Sequence, residues 1–202
     1  MKPIIVTDQR AEKLKRTISK RQNDITIILE NVHDPHNLGA VLRTCDSIGL
    51  LEIYALYTKE NAANLKSVAG RRSSSGARKW VDVHYYKDAS LCIDDVRKKY
   101  KTIYGTHLAQ DAVGLYDLKL DQSVALVFGN ENRGISKELL SFLDGNFIIP
   151  QVGLVQSLNI SVACAVTLYE AKRQRLIKGK YDMEFDANNI HHVALFEKYQ
   201  EK

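Results

Sequence analysis

The stretch "NFIIPQVGLVQSLNISVACAVTLYE", residues 146–170, contains the transition from strand to helix that decides the fold. Residues 146–150 are mostly apolar, which predicts a strand that ends at Pro150. A glycine loop follows, and residues 157–178 have the length and composition of a long, largely apolar helix. Uncharged polar side chains stand at the junction of the two elements, at Gln156, Ser157, Asn159 and Ser161. Because ligands bind outside the carboxyl ends of strands in an open α/β sheet, this junction indicates a ligand site.

Strand and helix patterns alternate along the rest of the chain. Further strands are predicted at residues 24–30, 52–56, 80–86, 102–106 and 124–129. Further helices are predicted at residues 36–48, 61–68, 88–100 and 136–143. This alternation predicts an α/β fold with a parallel sheet that is covered on both faces. We expect one such domain over residues 23–178, with a basic helical extension at 1–22 and an amphipathic helical extension at 179–202.

The composition is that of a soluble globular protein, with 45% hydrophobic and 26% charged residues among 202. No apolar run approaches the roughly 18 residues needed to span a bilayer, and the first residues lack the pattern of a secretory signal. We therefore expect a cytoplasmic protein without a membrane span. The cysteines, Cys45, Cys92 and Cys164, are widely spaced within apolar patterns, so we expect buried thiols. No C-x-x-C or H-x-x-x-H spacing occurs, which disfavours a metal site, and we expect no metal.

The formal net charge of +5 is distributed unevenly along the chain. Residues 1–21 contain seven cations and two acidic residues. A second basic cluster surrounds a serine-rich loop, at Arg71, Arg72, Arg78 and Lys79. A third follows the long helix, at Lys172, Arg173, Arg175, Lys178 and Lys180. Each cluster alone is compatible with a solvated helix face, but the three together favour a partner with a phosphate backbone.

The usual nucleotide-binding signatures are absent from the sequence. No G-x-G-x-x-G follows the first predicted strand, and no G-x-x-x-x-G-K-[ST] occurs, which argues against a dinucleotide fold or a P-loop enzyme. Small and polar residues instead follow three late strands, in "GTHL" (105–108), "FGNENRGIS" (128–136) and "IPQVGLVQSLNIS" (149–161). Because the carboxyl ends of parallel strands meet at one edge of the sheet, these segments are expected to form one ligand cradle.

A fourth segment, "NVHDPHNLGAVLRTCDSIGL" (31–50), carries a polar helix face in addition to its apolar stripe. His36, Gly39 and Arg43 are spaced at i, i+3 and i+7, so they share that face. A glycine within a helix costs up to about 1 kcal/mol relative to alanine. Gly39 therefore indicates that something comes close to the backbone, either a neighbouring element or a ligand.

Three segments, residues 31–50, 126–136 and 148–175, resemble the motifs of the SpoU/TrmH branch of the SPOUT RNA methyltransferases. The resemblance spans about residues 25–176. It implies an α/β parallel sheet with a deep C-terminal trefoil knot, S-adenosyl-L-methionine as the cofactor bound in the knot, and a homodimer. The terminal extensions are similar to those of family members that methylate a tRNA guanosine. The implied reaction is 2'-O-methylation of tRNA, at the D-loop guanosine 18, with another tRNA site or ribosomal RNA as the alternative.

The resemblance also implies which residues form the cofactor pocket. These are Thr106, His107, Leu108, Gly129, Ile149, Gly153, Leu158 and Asn159. Main-chain groups would bind the adenine and ribose while apolar side chains pack against the adenine faces, as in many small-molecule sites. For Ile149 and Leu158, ordinary core packing is the alternative.

The catalytic residues implied by the resemblance are Arg43, Asn37, Glu131, Ser157 and Asn159. Arg43 matches the family's catalytic arginine, for which a base role has been proposed. Because a guanidinium is in practice a permanent cation, we favour a phosphate clamp and electrostatic stabiliser. Alternatives are a helix cap for Asn37 or Ser157, and a salt bridge to Arg133 for Glu131.

The cations expected to contact tRNA are Lys13, Arg16, Arg21, Arg71, Arg72 and Arg78. The resemblance further implies that the helix over 158–169 and the first motif form a two-fold interface, which brings Arg43 of one subunit near the other's cofactor. Two rival functions remain at this stage. A non-catalytic RNA-binding module needs only the basic clusters, and a nucleotide-using enzyme is disfavoured by the missing phosphate loop.

Overall fold

The computed structural model describes residues 7–58, 76–155 and 157–202. Its strands are β1 (Ile25–Glu30), β2 (Glu52–Leu56), β3 (Asp82–Tyr86), β4 (Thr102–Thr106), β5 (Val113–Gly114), β6 (Val124–Phe128) and β7 (Gly145–Ile148). These seven described strands form one sheet in the order β3-β2-β1-β6-β4-β7-β5. Every pairing among them is parallel. All their carboxyl ends therefore lie along one edge, here called the carboxyl edge, and all their first residues along the opposite, amino edge.

The described helices lie on both faces of the sheet, as the alternating pattern predicts. They are α1 (Asp8–Ile18), α2 (Pro35–Ile48), α3 (Ala89–Arg97), α4 (Lys137–Leu140), α5 (Ile160–Ile177) and α6 (Ile190–Gln200), with short 3-10 turns at Ala77–Lys79 and Leu115–Asp117. One apolar core joins α2 and α5 to alternate residues of β1 and β6, including Ile27 and Leu126. A second core joins α3 and α4 to the other face, which includes Ile28 and Val127. Because successive side chains of a strand point to opposite faces of the sheet, each of these strands contributes residues to both cores.

Several element boundaries differ from the sequence-based expectation for local reasons. The long helix begins at Ile160 rather than at residue 157, because the side chain of Asn159 caps it. The last helix begins at Ile190, since Asn189 caps it with bonds to the N–H groups of the next turn. Strand β5 has two residues, too few to leave a periodic pattern. The helix predicted over 61–68 lies outside the described residues.

The first and last helices pack against each other. Leu14 and Ile18 of α1 form a small buried cluster with Tyr199 of α6, and Trp80 packs on its side. The Tyr199 hydroxyl donates to the main-chain oxygen of Trp80 at 2.9 Å. The two ends of the chain are thereby joined to each other and to the start of β3.

The three cysteines are buried, as the sequence predicts. Burial raises the pKa of the Cys92 thiol to about 12 and the pKa values of Cys45 and Cys164 above their ordinary range. These thiols are therefore packing groups and not nucleophiles. Within the described residues, no helix is both long and apolar enough to cross a membrane. In that same part of the chain, no group of three or more His, Cys, Asp or Glu side chains could hold a metal ion.

Candidate active site

A cavity of about 360 Å³ lies at the carboxyl edge, where β4, β6 and β7 end. Six of the eight residues predicted to bind a cofactor line it, namely Thr106, His107, Leu108, Gly129, Ile149 and Leu158. Glu131 and Ser157, predicted as catalytic residues, line it as well. Gly153 and Asn159 do not. The strand-end segments that are far apart in sequence therefore meet around one cavity.

Gly129 directly follows β6, at a point where the path of the main chain requires a glycine. The main chain turns back directly after it, and Asn130 and Gly134 exchange both main-chain hydrogen bonds, at 3.1 and 2.8 Å. A Cβ atom on Gly129 would lie 2.2 Å from the carbonyl carbon of Gly134, which no real contact allows. Only glycine permits this close return of the chain, and the return places Glu131 at the rim of the cavity.

The walls of the cavity are largely apolar. Phe128 and Phe147, at the ends of β6 and β7, meet edge to face with ring centroids 6.3 Å apart. Ile149 packs against the core and is only partly buried, so it presents surface to the cavity. The Thr106 hydroxyl donates to the Val127 carbonyl at 3.2 Å and so fixes the end of β4.

Sequence reasoning missed eight of the residues that line the cavity. They are Phe128, Asn130, Gly134, Phe147, Ile148, Gln151, Ile160 and Ala163. Each stands within a few positions of a predicted member. Their position at strand ends was visible in the sequence, but their orientation toward the cavity depends on strand register and loop geometry.

A chain of side-chain hydrogen bonds joins the three motif segments beside the cavity. The Asn37 amide donates to the carboxylate of Glu131 at 2.7 Å. The Asn159 amide in turn donates to the Asn37 side-chain oxygen at 3.2 Å. Asn37 comes from α2, Glu131 from the loop after β6, and Asn159 from the start of α5. Three residues from separate segments, with Asn37 and Asn159 122 positions apart, thus form one polar unit.

The helix caps differ from the alternatives that the sequence left open. Asp34 caps α2 by accepting from the His36 N–H at 2.8 Å, so the amide of Asn37 remains available for Glu131. Asn159, and not Ser157, caps α5 by accepting from the Ser161 N–H at 2.9 Å. The Ser161 hydroxyl also donates to that oxygen at 2.6 Å. Two bonds from Ser161 therefore orient the Asn159 side chain so that its amide nitrogen points to Asn37.

Glu131 and Arg43 have different surroundings from those of ordinary surface charges. Glu131 bonds to Asn37, and no salt bridge to Arg133 occurs in the described part of the chain. Arg43 is exposed on α2 and, within residues 7–58, 76–155 and 157–202, makes no hydrogen bond or ion pair. It does not line the cavity.

The cations predicted to contact RNA differ in their exposure and in their partners. Lys13 and Arg16 are exposed on α1. The Arg21 side chain is only 3% exposed, because its guanidinium binds Asp46 at 2.7 Å, so it is not placed to meet RNA. Arg78 is half-buried and donates to the Tyr85 hydroxyl at 3.4 Å. Arg71 and Arg72 lie outside the described residues.

Comparison with known proteins identifies the class. Residues 24–169 match the SpoU rRNA Methylase family, and this span contains all the residues that line the cavity. The chain belongs to this family.

Individual relatives extend the comparison beyond the family. The chain is 40% identical over 176 residues to the tRNA (guanosine(18)-2'-O)-methyltransferase of Thermus thermophilus, covering 87% of this chain and 88% of the relative. The crystal structure of the TrmH/SpoU tRNA modifying enzyme of A. aeolicus is 30% identical, covers 96% of each chain and gives a TM-score of 0.85. An AdoMet-bound rRNA methyltransferase from Sinorhizobium meliloti is 28% identical, covering 78% of this chain and 59% of that chain, with a TM-score of 0.64.

Proposed function

We propose that this protein transfers a methyl group from S-adenosyl-L-methionine to the ribose 2'-hydroxyl of guanosine 18 in the D-loop of tRNA. The observation that carries the proposal is the hydrogen-bonded unit of Glu131, Asn37 and Asn159 beside an apolar strand-end cavity. The likeness to enzymes with this activity, over nearly the whole of both chains, supports the choice of substrate.

The residues around the cavity fit this cofactor. The cavity volume of about 360 Å³ lies within the range of roughly 300–1,000 Å³ typical of small-molecule sites. Apolar side chains such as Ile149, Leu158 and Phe147 suit the faces of an adenine ring, and main-chain groups at the strand ends suit its edge. When bound, the cofactor supplies a methyl group already activated by a sulfonium centre.

Because the methyl group is activated, the protein's task is to align the ribose and to help its hydroxyl proton leave. We assign the alignment to Asn37, Glu131 and Asn159, which hold one another in place, and to Ser157 at the cavity wall. Arg43 binds the RNA phosphate and stabilises negative charge on the attacking oxygen, as a fixed cation does in many active sites.

The position of Arg43 supports a homodimer. Its side chain does not line the cavity of its own subunit, so we assign it to the cavity of the partner. Helix α5 also exposes apolar side chains at intervals of seven residues, with Val162 46%, Tyr169 51% and Leu176 49% accessible. In the proposed homodimer this face packs across the two-fold axis. The strand-end segments that surround the cavity support a trefoil knot within residues 23–178.

The ends of the chain serve the tRNA in this proposal. The basic extension over 1–22 and the extension over 179–202 flank the catalytic domain, and their helices pack together. Lys13 and Arg16 on α1, with Arg71, Arg72 and Arg78, neutralise tRNA phosphates. Arg21 does not belong to this surface, because its guanidinium is paired with Asp46. The place of action is the cytoplasm, where tRNA is available.

The test is methyl transfer to a defined tRNA. The protein is incubated with methyl-labelled S-adenosyl-L-methionine and either a tRNA transcript or the same tRNA carrying 2'-deoxyguanosine at position 18. We expect label in the first RNA and none in the second. Equal labelling of the two would exclude guanosine 18 as the site. Label in ribosomal RNA alone would exclude tRNA, and failure to bind the cofactor in calorimetry would favour a non-catalytic RNA-binding protein.

A further inference from the structure

Glu30, the last residue of β1, and Asn31, which directly follows it, are buried and are not used by the chemistry described above. Glu30 is fully inaccessible to solvent. Asn31 has a φ of 53°, and among the described residues it is the one non-glycine residue with a positive φ. A buried acid beside a residue in a rarely populated conformation is costly, so its surroundings should show a reason for both.

Glu30 is tied to the loop that follows β6. One carboxylate oxygen accepts from the main-chain N–H of Ser136 at 2.8 Å. The other oxygen is buried and has no hydrogen-bond partner among the described residues. A buried carboxyl group with one unsatisfied oxygen contributes little to the free energy of folding. The hydrogen bond to Ser136 is therefore better explained by the loop that it holds in place.

Asn31 binds the neighbouring segments on either side of β1. Its amide donates to the Thr58 hydroxyl at 3.0 Å, and its side-chain oxygen accepts from the Thr58 N–H at 3.1 Å. Its main-chain oxygen accepts from the Asn130 amide at 2.9 Å. The left-handed turn at Asn31 thus lets the end of β1 bind the start of the 130–136 loop, while Glu30 binds its end.

The 130–136 loop carries Glu131 and forms part of the cavity. Its two ends are fixed by Asn31 and Glu30, and its middle is closed by the paired main-chain bonds between Asn130 and Gly134. Glu131 then reaches Asn37 at 2.7 Å. No other acid in the described residues accepts a main-chain N–H from this loop.

We propose that Glu30 is a positioning residue for methyl transfer: by holding the Ser136 N–H, it fixes the 130–136 loop and therefore the place of Glu131 at the cavity. The inference rests on the proposed function for the assignment of Glu131, but the anchoring itself can be measured without activity. Glu30 touches neither the cavity nor the proposed catalytic unit, so it acts only through the loop.

Two pairs of variants test the hydrogen bond between Glu30 and Ser136, one pair at the acceptor and one pair at the donor. Glu30→Leu removes the acceptor at similar volume, whereas Glu30→Gln keeps an oxygen that can accept from Ser136. Ser136→Pro removes the donor, and the φ of −65° at this position is one that proline adopts. Ser136→Ala keeps the N–H and removes only the hydroxyl that caps Leu139. Asp144→Leu, which removes a carboxylate–N–H bond to Ile103 together with the ion pair to Arg97 at the amino edge, is the remote control.

Three measurements are made on each variant: kcat for tRNA methylation, tRNA affinity by filter binding, and hydrogen exchange of the loop amides. We expect Glu30→Leu and Ser136→Pro to lower kcat by about a hundredfold, since a shift of about 1 Å suffices for such a loss. We also expect faster exchange across residues 130–136 with tRNA affinity unchanged. Glu30→Gln, Ser136→Ala and Asp144→Leu should retain most of the wild-type kcat.

Several results would overturn the proposal. Unchanged kcat and exchange in either Glu30→Leu or Ser136→Pro would show that the bond does not hold the loop. Loss of kcat in Glu30→Gln with normal loop exchange would make the carboxyl group itself a reacting group. If Glu30→Leu does not fold, the comparison of Ser136→Pro with Ser136→Ala tests the proposal. A wild-type protein with no methyl transfer would refute the proposed function, while the exchange data would still report on the anchor.

Discussion

At the amino edge of the sheet, acidic residues stand at the starts of strands and each is paired with a cation, whereas at the carboxyl edge the polar groups are paired with neutral partners or exposed. Asp24 binds Arg175 and Lys180, Glu52 binds Lys99 and His84, Asp82 binds Lys198, and Asp144 binds Arg97. Glu131, by contrast, bonds to an amide, and Arg43 is exposed without a partner in the described residues. Ion pairs therefore hold the amino edge together, and the proposed site keeps charged groups without a charged partner in the described residues.

The contrast also revises how the basic clusters are interpreted. Arg175 is fully buried, where it binds Asp24 and donates to the main-chain oxygens of Leu120 and Gln122. Arg173 pairs with Glu170. Arg175 is therefore a structural residue that is not available to RNA phosphates, whereas Arg173 remains 59% exposed beside Glu170. Charge counted along a sequence overestimates a binding surface when the acidic partners come from distant strands.

Arg43→Ala should have the largest effect and leave the fold intact. We expect methyl transfer to fall by about a hundredfold to a thousandfold, because a fixed cation at the reacting centre is lost. The melting temperature should not change, since the side chain is exposed and has no partner in the described part of the chain. Labelled-methyl incorporation and thermal unfolding measure the two quantities. A lower melting temperature with normal activity would place Arg43 with the structural cations of the amino edge.

The Arg43→Lys variant distinguishes a role of Arg43 as an electrostatic clamp from a role as a general base. Lysine keeps the positive charge but loses the planar fork of donors. If the variant keeps substantial turnover with an unchanged pH profile, the guanidinium acts through its charge. A collapse of activity together with a shifted pH profile would instead support a specific proton-transfer role for arginine.

Glu52→Gln should produce the converse result, with lower stability and normal catalysis. Burial opposes ionisation of Glu52, but hydrogen bonds from His84, Lys99 and Tyr54 outweigh it and lower its pKa from 4.5 to about 2. After allowance for solvent screening, this shift corresponds to about 2 kcal/mol of folding free energy. Chemical denaturation of the variant at neutral pH measures the loss.

The pH dependence of that difference has a definite sign. A carboxyl group whose pKa is lower in the folded state stabilises the protein above its unfolded pKa, here 4.5, and loses this effect as the pH falls toward 2. The difference between wild type and Glu52→Gln should therefore shrink as the pH falls from about 4.5 toward 2. A difference that grows across this interval would contradict the assigned pKa shift.

Lys13→Gln combined with Arg16→Gln should have a moderate effect on RNA binding alone. Each lost phosphate contact lowers the slope of log affinity against log salt by about 1, so the double variant should lose about 2. Filter binding to tRNA across a salt series measures the slope, and calorimetry with S-adenosyl-L-methionine checks the cavity. Lys15→Gln on the same helix is the control, because Lys15 is already paired with Glu12. Parallel loss of cofactor binding would indicate misfolding.

Ser161→Ala should have the smallest effect. It removes the hydroxyl bond to the Asn159 side-chain oxygen but keeps the N–H bond that caps α5. Loss of one neutral hydrogen bond corresponds to about 1 kcal/mol, or about fivefold in methyl-transfer rate. A rate equal to that of the wild type would show that the cap alone orients Asn159.

Local patterns in the sequence were sufficient for most of the fold. Six of the seven described strands and the alternation that makes the sheet parallel follow from apolar runs separated by polar turns. The helix caps were less predictable, because Asp34, Asn37, Ser157 and Asn159 all have side chains able to cap. Which of them caps depends on the backbone angles at each position.

The sequence by itself determined the α/β class, the buried thiols and the strand-end segments that surround the cavity, because these depend on short-range periodicity and side-chain chemistry. Only the tertiary structure decided which polar groups meet. It joined Asn37 to Glu131 and Asn159, buried Arg21 and Arg175 in ion pairs, and directed Glu30 to the 130–136 loop. These contacts connect residues about 25 to 150 positions apart, so they follow from strand order and register, which no local pattern contains.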